Sequence, residues 1–519
     1  MYDAQADTID VDDIAKNSNN RIVMRRIKMN DVTFDANDDN NESFSLWIQN
    51  HHDVNGEGCV DYVPEGAYDM GWLGYFVGKN NHLKRLYINS FTPTSGSSLR
   101  DVLDPFFRGV SSNKSIKKID LAGMDMLGGE VFTVLGPFFK NISSLTDIDI
   151  NNCVWGDEGG RLFALAIGSS TNKSLERVTL RNNNISDEGM VDIITALSVH
   201  PHLKRLNLVG NGLRENGCVA LVTLLRCSAK ELQYLYISNN DVGDEGIEAL
   251  VPALANCNQL NELYISDNPS ITTKGWQSLA TILEAPNSNL EVLDMSQNNV
   301  NDEPVASFAS ALANNHTLHT LYLDNNRSIT AFGLQAFSNV LCDTTSINST
   351  YLSNHTLYYL GDEFYENAII GPLLDMNERD DKKEVAVIKI LQNHSDFDMQ
   401  PFFEWEFKVL PLVLSWLERA SVFEMPEDFE PNIEPRKLST IYQFVRGMPV
   451  LYVETRLRKE LEDIKAEESQ MEEKFKEEQR RLLQEIKHRK QEFEQRKQYL
   501  QERKESIMKN LGAGGNLQT

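Results

Sequence analysis

Few residues of this chain stand where covalent or metal chemistry would need them. Asn113-Lys-Ser115 and Asn172-Lys-Ser174 end as a phosphate-cradling G-x-x-x-x-G-K-S loop ends. Both lack the second glycine. Both also follow a helical pattern and precede a strand pattern, whereas a phosphate loop leaves a strand and opens a helix. They read as turns. The histidines form no H-E-x-x-H pair and none stands at ligand spacing from a cysteine, so no zinc site is expected. No G-x-S-x-G elbow occurs. Cys59, Cys153, Cys218, Cys227, Cys257 and Cys342 are scattered without a C-x-x-C pair and read as reduced core thiols. No catalytic residue, metal or cofactor is expected.

What remains are side chains suited to recognition: Tyr234, Tyr236, Tyr264, Tyr322 and Tyr351, with Arg177, Arg181 and Arg205. Tyrosine and arginine are the residues most enriched where protein interfaces concentrate their binding energy. Their significance depends on the elements that place them.

Those elements repeat. The pattern L-x-x-L-x-L-x-x-N begins at Leu175, Leu203, Leu232, Leu260, Leu290 and Leu318, with weaker copies from Leu83, Ile116, Leu145 and Ile347. Successive starts are 33, 29, 30, 28, 29, 28, 30, 28 and 29 residues apart, the signature of a stacked array. The first six positions alternate as a strand does. The ninth is Asn183, Asn211, Asn240, Asn268, Asn298 and Asn326, with Cys153 in one copy. An amide there can satisfy backbone groups that stacked turns would leave unpaired, so these asparagines are structural.

The second half of each unit carries apolar residues at helical spacing around a glycine, as in Val242, Gly246, Leu250 and Leu254. Asp-Glu pairs before the glycine (Asp157-Glu158, Asp187-Glu188, Asp244-Glu245), and Asp302-Glu303 before Pro304, put negative charge at the helix start. Each unit is therefore one strand and one helix, and neither can bury its apolar side alone. Strands pack about 4.8 Å apart and helices about 8–10 Å apart, so the stack must curve with its strands inside. The expected fold is an α/β solenoid over residues 83–355, with a curved parallel sheet inside and helices outside.

In that geometry the third, fifth and seventh positions face the hollow. The fifth reads Tyr87, Asp120, Asp149, Thr179, Asn207, Tyr236, Tyr264, Asp294, Tyr322 and Tyr351, and Tyr234 lies at a third position. Arg85, Lys118, Arg177, Arg181 and Arg205 make the early third and seventh positions basic. Two uses are open: a partner-binding face, or tyrosines that stack on one another across strands.

By its repeat length, Asn column and D-E-G helix start, the array resembles the ribonuclease-inhibitor-like subclass of leucine-rich repeats. That resemblance implies the fold and a protein-binding scaffold. Ran GTPase-activating proteins are similar in repeat type, which makes regulation of a small GTPase the alternative expectation. That family characteristically adds a strongly acidic tail, and no residue here matches its catalytic arginine.

The flanks differ from the array. Residues 1–20 read as a disordered acidic segment, and 21–82 as a cap with a degenerate strand at Met24, Ile27, Met29 and Val32. Residues 356–453 read as a helical cap, with helices over 380–393, 401–419 and 436–446. Residues 454–510 are nearly all Glu, Lys, Arg and Gln and read as one long charged helix, before a disordered tail at 511–519. Its apolar residues recur by sevens, through Leu457, Ile464 and Met471 and then, in a second phase, Ile486, Phe493, Leu500 and Ile507. Lys490, Lys497 and Lys504 share the seam of that second phase. A coiled coil, and with it a homodimer through 454–510, and a solvated single helix are both open readings.

The formal charge is −26, from 76 acidic and 50 basic residues. Residues 454–510 net +1, leaving −27 to residues 1–453. Such a body repels phosphate backbones and anionic lipids, so neither nucleic acid nor membrane is an expected partner. The start is acidic rather than basic-then-apolar and no stretch is long and apolar enough to span a bilayer, so a cytoplasmic location is expected. The partner expected is another protein.

Overall fold

The computed structural model describes residues 2–30, 44–50, 59–90, 93, 97–124, 129–227, 230–394 and 454–513. They divide into two compact units, Met1–Ile390 and Leu391–Thr519.

The first unit is built on one parallel sheet of 11 strands. In chain order these are β1 (Ser45–Ile48), β2 (Cys59–Tyr62), β3 (Arg85–Asn89), β4 (Lys118–Ala122), β5 (Asp147–Asn151) and β6 (Arg177–Thr179). They continue as β7 (Arg205–Asn207), β8 (Tyr234–Tyr236), β9 (Glu262–Tyr264), β10 (Val292–Asp294) and β11 (Thr320–Tyr322). From β3 to β11 the sheet follows chain order, and its other edge runs β3-β1-β2. Pairing is in register by repeat position: Tyr236 lies opposite Tyr264, and Asp120 opposite Asp149. The alternating pattern then decides burial. Leu206, Leu235, Leu263, Leu293 and Leu321 are buried beneath the helices, while their strand neighbours stay on the opposite face. Leucine-rich-repeat architecture is thus what the period requires.

Three polar ladders hold successive units in step. Asn268 is fully buried, and its Nδ2 donates to the carbonyls of Ile237, Ile265 and Ser266 while its Oδ1 accepts from Val242 N–H. Asn240, Asn298 and Asn326 repeat this pattern. A second ladder closes the turns before the strands. Asn113 Nδ2 donates to the carbonyls of Val77 and Asn80, and Asn172 Nδ2 to that of Leu145, so the two Asn-Lys-Ser segments are turns. In the third, the Asp of each D-E pair reaches the start of the following helix. Asp244 accepts from the backbone N–H of Thr272 and Gly275 and from the Thr272 hydroxyl, and Asp302 does the same at Thr330. This close approach explains the glycine: a Cβ on Gly275 would lie 2.4 Å from Asp244 Oδ1.

Both ends depart from the sequence expectation. Residues 21–28 are not a strand but part of the helix Ser18–Lys28. Asn17 caps it, accepting from the N–H of Asn19 and Asn20, and Val23, Met24 and Ile27 are buried at helical spacing, whereas Met29 is exposed. Val32 lies outside the described residues. Residues 1–20 hold short helices, Tyr2–Gln5 and Val11–Ile14, rather than disorder. Their acidic composition conceals anchors: Val11 and Ile14 are buried, and Tyr2 packs edge-on against Trp72 at 4.8 Å.

At the other end, the copy assigned to Ile347 is a helix, Ile347–Tyr351, capped by Ser346. The last unit instead starts at Leu357, where Tyr359 bridges to Thr320. Asn354 sets this register, donating to the carbonyls of Leu312 and Asn315. The helix over 380–393 is present as Lys382–Asn393. Its Lys389 is fully buried and donates to the Leu341 carbonyl (2.6 Å) and Asn377 Oδ1 (2.7 Å). Burial pulls that ammonium down to about 7. The helices expected over 401–419 and 436–446 lie outside the described residues.

The second unit contains the helix Glu454–Ala513, 60 residues long. Within it Glu485 and Arg489 form an i, i+4 ion pair at 3.0 Å.

Candidate functional site

The strand face that carries no helices has two halves, because its side chains change character along the sheet. Over β4 to β6 it is a charged network. Lys118 Nζ lies 3.1 Å from Asp120 and 3.8 Å from Asp149, and its ammonium sits over the Tyr87 ring at 5.3 Å. Arg177 pairs with Asp147. Burial, with Asp120 beside it, lifts the Asp149 carboxyl to about 6.

Over β7 to β11 the face turns aromatic. The Arg205 guanidinium lies 4.4 Å above the Tyr234 ring and 5.7 Å from that of Tyr236. Tyr236 stacks on Tyr264 at 4.6 Å, and its hydroxyl donates to Glu262 at 3.3 Å. Burial, with Glu262 nearby, holds the Tyr264 phenol above the usual tyrosine range. Both phenols therefore remain neutral hydrogen-bond donors at neutral pH. Tyr322 follows beyond Asp294 and meets Tyr359 edge-on at 5.2 Å.

The structure thus brings Arg205, Tyr234, Tyr236 and Tyr264 into one half-buried patch, with Tyr322 two strands further along. Arg177 belongs to the charged half, and Arg181 is exposed just beyond β6. Tyr351 is a correction. It lies on the helix Ile347–Tyr351 beside Asn314, His316 and Lys382, away from the strand column, because Leu357 and not Ile347 begins the last unit. Sequence reasoning missed Trp47, which extends the fifth-position column by stacking on Tyr87 at 4.1 Å. The alternation in Phe44-Ser-Leu-Trp-Ile48 could have revealed it. It also missed Tyr359, hidden by the longer last interval.

Both readings of the tyrosines have structural content. Tyr236 and Tyr264 stack across strands, and Tyr234, Tyr236, Tyr264 and Tyr322 are not sealed inside the body. Among the described residues, no group of three or more His, Cys, Asp or Glu could hold a metal ion. Nor is any described helix long and apolar enough to cross a membrane.

The fold and this face define a leucine-rich-repeat solenoid. A leucine-rich-repeat family model matches residues 171–193, 199–222, 231–251 and 287–309. Human leucine-rich repeat-containing protein 73 is 28% identical over 235 residues, covering 45% of this chain and 63% of that protein. The rat protein of the same name aligns equally. This chain therefore spans less than two thirds of the length of these relatives. Pig ribonuclease inhibitor is 26% identical over 204 residues, 39% of this chain and 44% of that protein. Among solved structures, an internalin from Listeria monocytogenes matches 63% of this chain and 95% of its own at a TM-score of 0.36 and 14% identity.

Proposed function

We propose that this chain is a non-enzymatic binding protein that holds a partner protein against the open strand face. The observation behind this reading is the patch of Arg205, Tyr234, Tyr236 and Tyr264: large, amphipathic side chains in contact with one another, on the side of the sheet that carries no helices. A face with no core to fill gains little from aromatic bulk unless another surface covers it. The similarity to leucine-rich-repeat proteins, ribonuclease inhibitor among them, supports a binding role. A cytoplasmic location suits free, buried thiols such as Cys153 and Cys218.

The test is affinity capture with the intact chain, compared with a chain in which Tyr236 and Tyr264 are both alanine. A protein held by this face should bind the variant more weakly by about 2 kcal/mol or more, with the circular dichroism spectrum unchanged. A partner retained with equal affinity would remove the strand face from consideration.

A further inference from the structure

The helix Glu454–Ala513 carries a surface that the strand-face reading does not use. Ile486, Phe493, Leu500 and Ile507 recur every seven residues and are 62%, 66%, 52% and 50% exposed. Residues three and four further on flank such a row on its two sides. Here those positions are Arg489 and Lys490, Arg496 and Lys497, and Arg503 and Lys504. The apolar row is therefore lined by arginine on one side and lysine on the other. The acidic residues Glu485, Glu492, Glu494 and Glu505 fall further round the helix. Some of the cations are occupied within the helix: Arg489 pairs with Glu485, Lys497 approaches Glu494 at 3.9 Å, and Arg496 lies over Tyr499. Among the described residues, Lys490, Arg503 and Lys504 show no ion pair.

A second copy is the wrong occupant for this face. Heptad packing places the row residues in the seam together with either the arginines or the lysines. In a symmetric parallel pair three cations per helix would then meet cations, and in an antiparallel pair they would be buried against the partner's apolar row without a counter-charge. An acidic partner turns the same positions into attractive pairs, and a mismatch of this kind selects heterotypic over homotypic pairing.

We propose that residues 482–507 form a docking helix for an acidic amphipathic helix of a different protein, with Glu or Asp opposite Lys490, Lys497 and Lys504. The complement is specific in pattern: apolar residues every seven positions to meet Ile486, Phe493, Leu500 and Ile507, and carboxylates between them.

The test uses the full-length chain and two designed four-heptad peptides with Leu at one seam position. One peptide carries Glu at the other seam position and the other carries Lys. The chain should bind the Glu peptide at least about tenfold more tightly than the Lys peptide. The triple variant Lys490→Glu, Lys497→Glu, Lys504→Glu should reverse that order, with unchanged helix content by circular dichroism. Sedimentation should show no dimer that depends on these lysines. Three results would each overturn the proposal: equal binding of both peptides, a self-associated helix that excludes them, or capture by phosphatidylserine vesicles in preference to the Glu peptide.

Discussion

The phenol rings of Tyr236 and Tyr264 lie 4.6 Å apart with 19° between their planes, one on each of two neighbouring strands. In-register parallel pairing puts them directly opposite, so the contact follows from the repeat itself. A stack of this kind contributes about 0.5–1.5 kcal/mol beyond area burial. A double-mutant cycle on urea unfolding, with alanine at each position singly and together, should return a coupling of that size. Phenylalanine at both should preserve stability to within about 1 kcal/mol, since only phenolic hydrogen bonds to Glu262 are lost. Strictly additive alanine losses would show that the rings are neighbours without being energetically coupled.

The asparagine ladder makes a sharper demand. Asn268→Ala strands Val242 N–H and removes the donor shared by the carbonyls of Ile237, Ile265 and Ser266. An unsatisfied buried group costs about 1–3 kcal/mol, so a loss of about 3 kcal/mol is expected from chemical denaturation. A loss below about 1 kcal/mol would mean that the turn relaxes to find other partners.

Asp149 predicts a pH dependence. Its folded-state pKa, about 6, stands above the ordinary aspartate value, so the folded chain holds this proton more tightly than the unfolded chain. The contribution is favourable below about pH 4, is lost as pH rises towards 6, and is absent above that. Asp149→Asn, which removes the titrating charge, should raise the melting temperature at pH 7 by a few degrees. The gain should shrink towards zero near pH 4. An equal shift at both pH values would assign it to something other than ionisation.

The middle of the molecule was legible because two periods agree there. Leucine spacing, the Asn column and the D-E-G start each point to the same strand-and-helix unit. Stacking then converts sequence position into spatial register, which is why Tyr234, Tyr236 and Tyr264 were found as neighbours from spacing alone. The ends were less legible because a terminal unit answers to one neighbour and not two. Met24 and Ile27 fit a strand pattern and a helix pattern alike until Asn17 caps the helix. Ile347 sits at the right interval, yet Asn354 places the last unit at Leu357 and leaves Tyr351 outside the column.

The sequence by itself determined the repeat, the sheet register and the residue types on the open face, since these depend on local periodicity and the need to bury one side of every strand. Tertiary structure decided which charges meet and which rings touch. Arg205 over Tyr234, Lys118 between Asp120 and Asp149, and Trp47 on Tyr87 all join residues of neighbouring or insertion-separated strands, at distances no spacing encodes. The physical reason is that such contacts depend on side-chain conformers and strand order, and the edge order β3-β1-β2 is not the order of the strands along the chain.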